Sequence, residues 1–276
     1  MNGREGSARG LPWPWKPRCQ FEESPHSYTR PFGALRSAKR ALHRLSTGRG
    51  PAVSPGKPSR FEPGQRVRIR SSDEIAATLD AAGTLRGMPF LATQWTHQGT
   101  FEVERQVRRF LDGDARIHRM STAVALRGVS CDGADSTPGC GRACSMFYRD
   151  EWLEPSEDPL APPPERLMVR VKSEREIRAT LDRRGTLDGM SFRPEMARFA
   201  GQRLPLLRRL EFDPGPLPWW KHARGEWYAL AGARCEGEPF AATGGCDRGC
   251  AFAWHRSWLD MEGDPGHDGP EGRKPD

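Results

Sequence analysis

Two groups of three cysteines are the residues of this chain best suited to chemistry. Cys131, Cys140 and Cys144 form a C-x8-C-x3-C pattern, and Cys235, Cys246 and Cys250 form C-x10-C-x3-C. Glycines surround both groups: Gly133, Gly139 and Gly141 in the first, Gly237, Gly245 and Gly249 in the second. Thiolates carried on short Gly-rich turns converge without steric conflict, which suits a structural zinc site with four ligands in a tetrahedron. Three sulfurs leave one position to fill. His118 and His222 each stand thirteen residues before the first cysteine of their group, and imidazole is a common zinc ligand. The expectation is two closed sites, each of three cysteines and one histidine: His118 with Cys131, Cys140 and Cys144, and His222 with Cys235, Cys246 and Cys250. That gives about two structural Zn2+ ions per chain. A disulfide plus a leftover thiol, or an iron–sulfur cluster, are the rival chemistries; clusters usually take four cysteines. Cys19 stands apart as a single thiol.

Little else in the chain resembles a reaction centre. No G-x-S-x-G, P-loop or H-E-x-x-H pattern occurs. No residue is therefore given a catalytic or cofactor-binding role, and the chain is expected not to be an enzyme. Two alternatives stay open: a metal-dependent tailoring enzyme or enzyme subunit, and a nucleic-acid-associated protein. The second draws on the charge distribution. Residues 1–60 hold twelve Lys/Arg against three acids, a net +9, so the rest of the +7 chain carries −2. Nucleic-acid-binding domains normally carry their own cationic face, so any such contact is expected through residues 1–60. A protein or peptide partner is the leading expectation.

The elements that must position the cysteines are duplicated. Residues 67–90 and 169–192 align without a gap at an offset of 102, with fifteen of twenty-four positions identical. The match resumes at Cys131 and Cys235, at Cys140/Cys144 and Cys246/Cys250, and at Trp152-Leu153 and Trp258-Leu259. Self-similarity of this kind marks repeated structural units. The expected organisation is a basic, disordered tail over 1–59, one repeat over 60–154, and a Pro-rich linker over 155–164. A second repeat follows over 165–261, and a charged tail over 262–276.

Within a unit, Gln65–Arg70 alternates polar and apolar residues as a half-buried strand does. Ser71-Ser-Asp-Glu74 and Ser173-Glu-Arg-Glu176 are capping boxes, each opening a short helix, with Ile75 and Leu79 inward and Gly83 as the stop. Strands are expected over Thr84–Phe90, Phe101–Val107 and Ala123–Val129, and a short helix or turn over Met146–Leu153. Trp152 and Trp258 are expected in the core. Trp219-Trp220 suits an exposed loop contact, and His255 the surface. The fold class is mainly β or α+β: two tandem strand-rich domains, each with short helices and a cysteine knuckle. Phe61-Glu-Pro-Gly-Gln-Arg-Val-Arg-Ile69 resembles the first strand of SH3-like barrels.

Read as one string, Val-Lys-Ser-x-x-Glu-Ile-x-x-Thr-Leu-Asp, Gly-Met-x-Phe-x-Pro-Glu-Met, then Cys-x-Gly, Gly-Cys, Cys and Trp-Leu is similar to a small bacterial protein family about one repeat long. The resemblance covers both units, with copy two closer at Arg193–Met196. It implies a cysteine before the glycine that is Gly201 here; this chain has Ala200, and Gln98 in copy one. It implies no activity.

Composition bounds the rest. Apolar residues are 36% of 276, and Gly (30) and Pro (25) are frequent, while mean hydropathy is −0.73. Two small cores fit that better than one large one. No apolar run is long enough to span a bilayer, and the first twenty residues lack the apolar core of a secretory signal. A reducing cytoplasm is the expected location, where cysteines serve as ligands more often than as disulfides.

Overall fold

The computed structural model describes residues 53–111, 117–131, 143–160, 165–210, 225–238 and 245–261. It is mainly β, with short helices and two curled antiparallel sheets. Strand β1 (Arg66–Ile69) alternates exposed and buried residues, as its sequence requires. Helix α1 (Ser72–Ala76) follows at once. The Ser71 side chain accepts from the Glu74 amide, and the Glu74 side chain returns to the Ser71 amide.

The helix ends earlier than Gly83. Thr78 Oγ1 donates to the Ile75 carbonyl at 2.7 Å, and the Asp80 carboxylate then accepts from Ala82 N, Thr84 N and Thr84 Oγ1. Gly83, at φ +71, closes this Asp turn. The segment expected as one strand folds back as the hairpin β2 (Thr84–Leu85) and β3 (Met88–Pro89). Arg86 and Gly87 both hold positive φ at its tip, the geometry of a two-residue hairpin turn.

After a 3-10 turn at Ala92–Thr96 come β4 (Thr100–Gln106), the hairpin β5 (Arg109–Leu111) and β6 (Ile117–Arg119), and β7 (Ala123–Ser130). The segment expected as a short helix or turn is a strand, a turn and a strand: β8 (Ser145–Arg149), a 3-10 turn at Asp150–Trp152, and β9 (Leu153–Pro155). Val124, Ala125 and Ala123 pair across to Tyr148, Phe147 and Arg149, so ladder hydrogen bonds override the helix-like spacing of the apolar residues. The five-stranded order is β8-β7-β4-β1-β9.

The second half runs β10 (Met168–Val171), α2 (Glu174–Ala179), β11 (Thr186–Leu187), β12 (Met190–Ser191), a 3-10 turn at Pro194–Phe199, β13 (Arg203–Leu210), β14 (Trp227–Arg234), β15 (Ala251–His255), a 3-10 turn at Arg256–Trp258, and β16 (Leu259–Met261). Its order, β15-β14-β13-β10-β16, matches the first element for element. Ser173 and Glu176 form the same capping box. Asp182 caps the same turn, accepting from Arg184 N, Thr186 N and Thr186 Oγ1. In the segment that distinguishes copy two, Met196 is fully buried and so serves packing.

Both sheets bend at register shifts, between Ala125 and Ser130 in one and Ala229 and Arg234 in the other. Gly128 and Gly232 lie inside those shifts with φ of +78 and +81. A residue in the left-handed region at a bulge raises local twist and curls a sheet. Each sheet closes over an aromatic core. Trp152 meets Phe90 edge-on at 4.9 Å, and Trp258 meets Phe192 at 5.6 Å. The buried indoles are satisfied alike: Trp152 Nε1 donates to Thr78 Oγ1 at 3.0 Å and Trp258 Nε1 to Thr180 Oγ1 at 2.9 Å.

Residues 53–59, which the sequence assigns to the tail, are held against the first sheet. Gly56 N donates to the Arg108 carbonyl, and Arg108 Nε returns to the Gly56 carbonyl at 2.9 Å. A Cβ on Gly56 would lie 1.5 Å from the Met120 carbonyl oxygen, so only glycine passes there. Ser59 Oγ donates to Asp150 Oδ1 at 2.5 Å, and Arg60 N donates to Asp150 Oδ2 at 3.0 Å. A small polar serine ties the strap into the fold, which no hydrophobic pattern announces. The rest of the expected N-terminal tail, residues 1–52, and the C-terminal tail, 262–276, lie outside the described residues. Among the described residues no helix is long and apolar enough to cross a membrane.

Thr78→Val and Thr180→Val each strand a buried indole N–H. Each is expected to destabilise the chain by about 1–3 kcal/mol, read by denaturant unfolding, while Thr→Ser at the same positions stays close to the parent.

Candidate metal centre

The cysteines lie at the ends of strands, where each sheet reaches toward the other half. Cys131 follows β7, and its amide donates to the Cys144 carbonyl at 2.8 Å. Cys235 follows β14, and its amide donates to the Cys250 carbonyl at 2.9 Å. The two copies thus pair their first and last cysteines identically through the backbone. Cys131, Cys144, Cys235, Cys246 and Cys250 are thiols, not halves of a disulfide. Cys140 and His222 lie outside the described residues, as do Cys19 and Trp219-Trp220.

In the second half, Cys246 and Cys250 are near enough to Cys235 to act on its charge. The backbone of Cys246 packs against Gly237. Its φ is +85, and a Cβ there would lie 2.3 Å from the Cys246 carbonyl oxygen. Backbone amides point at the sulfurs. Gly237 N donates to Cys235 Sγ at 3.3 Å, and the Arg248 amide donates to Cys246 Sγ. Amides two residues on that donate to a sulfur favour the thiolate. Burial acts against them and is the larger effect: it pushes the Cys235 thiol up to about 12, and the nearby Cys250, Glu238 and Cys246 add to this. Burial likewise raises Cys246, opposed by the Leu111 and Arg248 amides. Burial therefore favours the protonated thiols at Cys235 and Cys246.

The Cys246–Cys250 turn is docked on the first half. Asp247 Oδ2 accepts from Arg108 N and Arg109 N, both at 2.8 Å, and Asp247 N donates to the Arg109 carbonyl at 2.7 Å. Leu111 N donates to Cys246 Sγ at 3.2 Å. Arg248 Nη1 donates to the Leu111 carbonyl at 2.6 Å, with its guanidinium 5.9 Å above the Phe110 ring. The β5–β6 hairpin therefore grips the knuckle of the other half. His118 sits on that hairpin, opposite Phe110 in the ladder and 5.8 Å from it ring to ring. The expected grouping of His118 with Cys131 and Cys144 is not seen, and among the described residues no three His, Cys, Asp or Glu side chains converge on a common point as they stand.

What does converge is a pair that spacing within one copy does not bring together. Cys144 Sγ and Cys250 Sγ, which hold equivalent positions in the two repeats, are 3.8 Å apart. Arg234 fixes the approach. Only 6% exposed, it donates from Nη1 to the Ala143 carbonyl at 3.1 Å and the Gly249 carbonyl at 2.6 Å, the residues just before the two cysteines. Ser145 Oγ donates to the same Gly249 carbonyl at 3.2 Å. Gly249 has φ +61, and a Cβ there would lie 2.8 Å from Ser145 Oγ and 3.1 Å from Arg105 Cζ. Burial lowers the Arg234 pKa; Glu104, Cys144 and Cys250 oppose that fall. A buried guanidinium of this kind needs negative charge nearby, and thiolates at Cys144 and Cys250 would provide it.

Spacing and motif do not mark Arg234, Asp247 or Arg248 as site residues. The one available signal is that Arg234 occupies the place of Ser130 in the first copy, a charge gained where the repeats otherwise agree. His255 is a capping residue: its Nδ1 accepts from Ser257 N at 3.1 Å, opening the 3-10 turn at Arg256–Trp258.

Arg234→Met leaves two buried carbonyls without their shared donor. It is expected to cost about 2–4 kcal/mol of unfolding free energy, measured by urea denaturation. A change under about 0.5 kcal/mol would show that the guanidinium does not hold the halves together. Comparison with protein-family models, curated proteins and solved structures finds no match.

Proposed function

We propose that this chain is a non-catalytic, zinc-stabilised scaffold: a tandem pair of small SH3-like domains whose cysteine knuckles hold structural metal and whose outer surface serves a protein or peptide partner. The observation that carries this reading is the meeting of cysteine-bearing turns between the two sheets, with Cys144 and Cys250 sulfurs at 3.8 Å. The duplicated capping boxes, Asp turns and Trp–Thr pairs support the tandem arrangement. The zinc part rests on the donor set: buried thiols on Gly turns, backbone amides aimed at their sulfurs, and arginines alongside.

When bound, the ion supplies charge compensation and a crosslink, with four closed positions and none left for a substrate. The chain's own residues do the positioning. Gly237 allows Cys246 to approach Cys235, and the Asp247 carboxylate anchors the turn through Arg108 N and Arg109 N. Arg234 and Arg248 offset the negative charge of the thiolates. A crosslink of this kind stabilises a small core that apolar burial alone supports poorly.

Purified under reducing conditions, the chain is expected to carry about two zinc ions by elemental analysis. Cys246→Ser is expected to remove about one of them and lower the melting temperature, and chelation is expected to lower it further. A chain that contains no zinc, cannot be loaded with it and still melts cooperatively would overturn this reading.

A further inference from the structure

We infer that Cys144 and Cys250 form a redox-sensitive dithiol, which a peroxide oxidises to a disulfide joining the two halves of the chain. The inference goes beyond the zinc reading and does not need it, since it stands on the sulfur pair alone.

The pair is already placed for a bond. Cys144 Sγ and Cys250 Sγ are 3.8 Å apart. A disulfide holds its sulfurs at about 2.05 Å, so a closure of under about 2 Å, shared between two side chains, completes it. The backbone on either side of each sulfur is fixed. Arg234 Nη1 donates to the carbonyls of Ala143 and Gly249, the residues just before the two cysteines. The carbonyls of Cys144 and Cys250 themselves accept from the Cys131 and Cys235 amides. Rotation about each Cα–Cβ bond is the motion left to the sulfurs. The neighbouring thiols of the second half face other groups. Cys235 Sγ meets the Gly237 amide and the Glu238 carboxylate, and Cys246 Sγ meets Leu111 N.

The surroundings rank the two sulfurs. Arg248 Nε donates to Cys144 Sγ at 3.5 Å. A guanidinium beside a cysteine favours the thiolate, which is the form that attacks. With Cys144 Sγ as acceptor, Cys250 is the donor of the pair. Both residues are only 7% exposed, so the oxidant that suits them is small: hydrogen peroxide rather than a bulky disulfide.

Oxidation proceeds in two steps. The Cys144 thiolate attacks one oxygen of hydrogen peroxide and the O–O bond breaks. The departing hydroxide takes up the proton that Cys144 gave up and becomes water, leaving a sulfenic acid on Cys144. The Cys250 sulfur then attacks the Cys144 sulfur. An S–S bond forms, the S–OH bond breaks, and the hydroxyl leaves with the Cys250 proton as a second water. The two thiols lose two electrons and two protons, and the peroxide is reduced to water. The product replaces a contact held by hydrogen bonds with a covalent tie between the sheets.

Trypsin separates the sulfurs for the test. Cys144 falls on peptide 143–149 and Cys250 on 249–256, while Cys131 and Cys140 share 128–142 and Cys235 and Cys246 share 235–248. The full chain, reduced, freed of reductant and treated with hydrogen peroxide beside a chelator, is expected to yield 143–149 linked to 249–256. By mass the pair is lighter by the two lost hydrogens, and dithiothreitol separates it. Cys250→Ser is expected to leave a sulfenic acid on 143–149 that dimedone captures, and Cys144→Ser to leave 249–256 unmodified by the same peroxide. The unsubstituted chain carries the test if either variant does not fold. A disulfide confined to 128–142 or to 235–248, or oxidation of Cys144 and Cys250 without a link between them, would overturn the inference. Zinc in the same preparation is measured separately. Zinc without the link sinks this inference alone, and the link in a chain that cannot be loaded with zinc sinks the zinc reading alone.

Discussion

A buried guanidinium sets how the two sheets of this protein meet. Arg234 sits at the end of β14, almost without solvent, and its Nη1 serves one carbonyl from each half. Taking such a charge out of water is costly unless hydrogen bonds and opposite charge compensate it. The carbonyls of Ala143 and Gly249 provide the hydrogen bonds, and Glu104 supplies opposite charge. The close approach of Cys144 to Cys250 is therefore a consequence of satisfying Arg234, and moving either turn leaves a charged group or a carbonyl unpaired.

The contact between the halves depends on the backbone as much as on side chains. Leu111 N, Arg108 N, Arg109 N and the Leu111 carbonyl all bond to the Cys246–Arg248 stretch. Main-chain donors lose little entropy when they bond, because the ladder already fixes them. A turn seated on a strand edge this way is held through its main chain as well as its side chains. Gly237 and Gly249 contribute by their lack of a side chain: one admits Cys246 beside Cys235, the other admits Ser145 and Arg105 beside the knuckle.

Much of each half is legible in the residues. Ser71/Glu74 and Ser173/Glu176 announce their helices because a capping box is a local device, complete within four residues. The alternation of Arg66–Ile69 announces β1 for the same reason. Met146–Leu153 misleads, since its mixture of apolar and charged residues suits a short amphipathic helix or turn while the pairing that makes β8 a strand comes from β7, about twenty residues away. Gly83 misleads because a glycine that ends an Asp turn and one that ends a helix look the same without Asp80's hydrogen bonds. Most of the site is hidden for a further reason. Spacing within one repeat suggests that each trio of cysteines is self-contained, and sequence carries no sign that the last cysteine of one copy lies against the last cysteine of the other. The same logic places His118 with its own group, yet its hairpin grips the opposite knuckle.

The two halves differ at several positions where they touch. A contact between identical units related by a two-fold axis must be isologous, with each side offering the same residues. Here Arg234 faces the Ala143 carbonyl, while the first copy has Ser130 at the position of Arg234. Gly249, open to Ser145 and Arg105, corresponds to Ala143, which itself holds a positive φ of 44. Arg256 stands where Asp150 binds the Ser59 strap. Joining two units in one chain frees each side to specialise, because a substitution no longer appears twice in the contact. What the duplication leaves unchanged is the pair Cys144 and Cys250. They are the part of the contact that both copies supply in kind, with their sulfurs 3.8 Å apart.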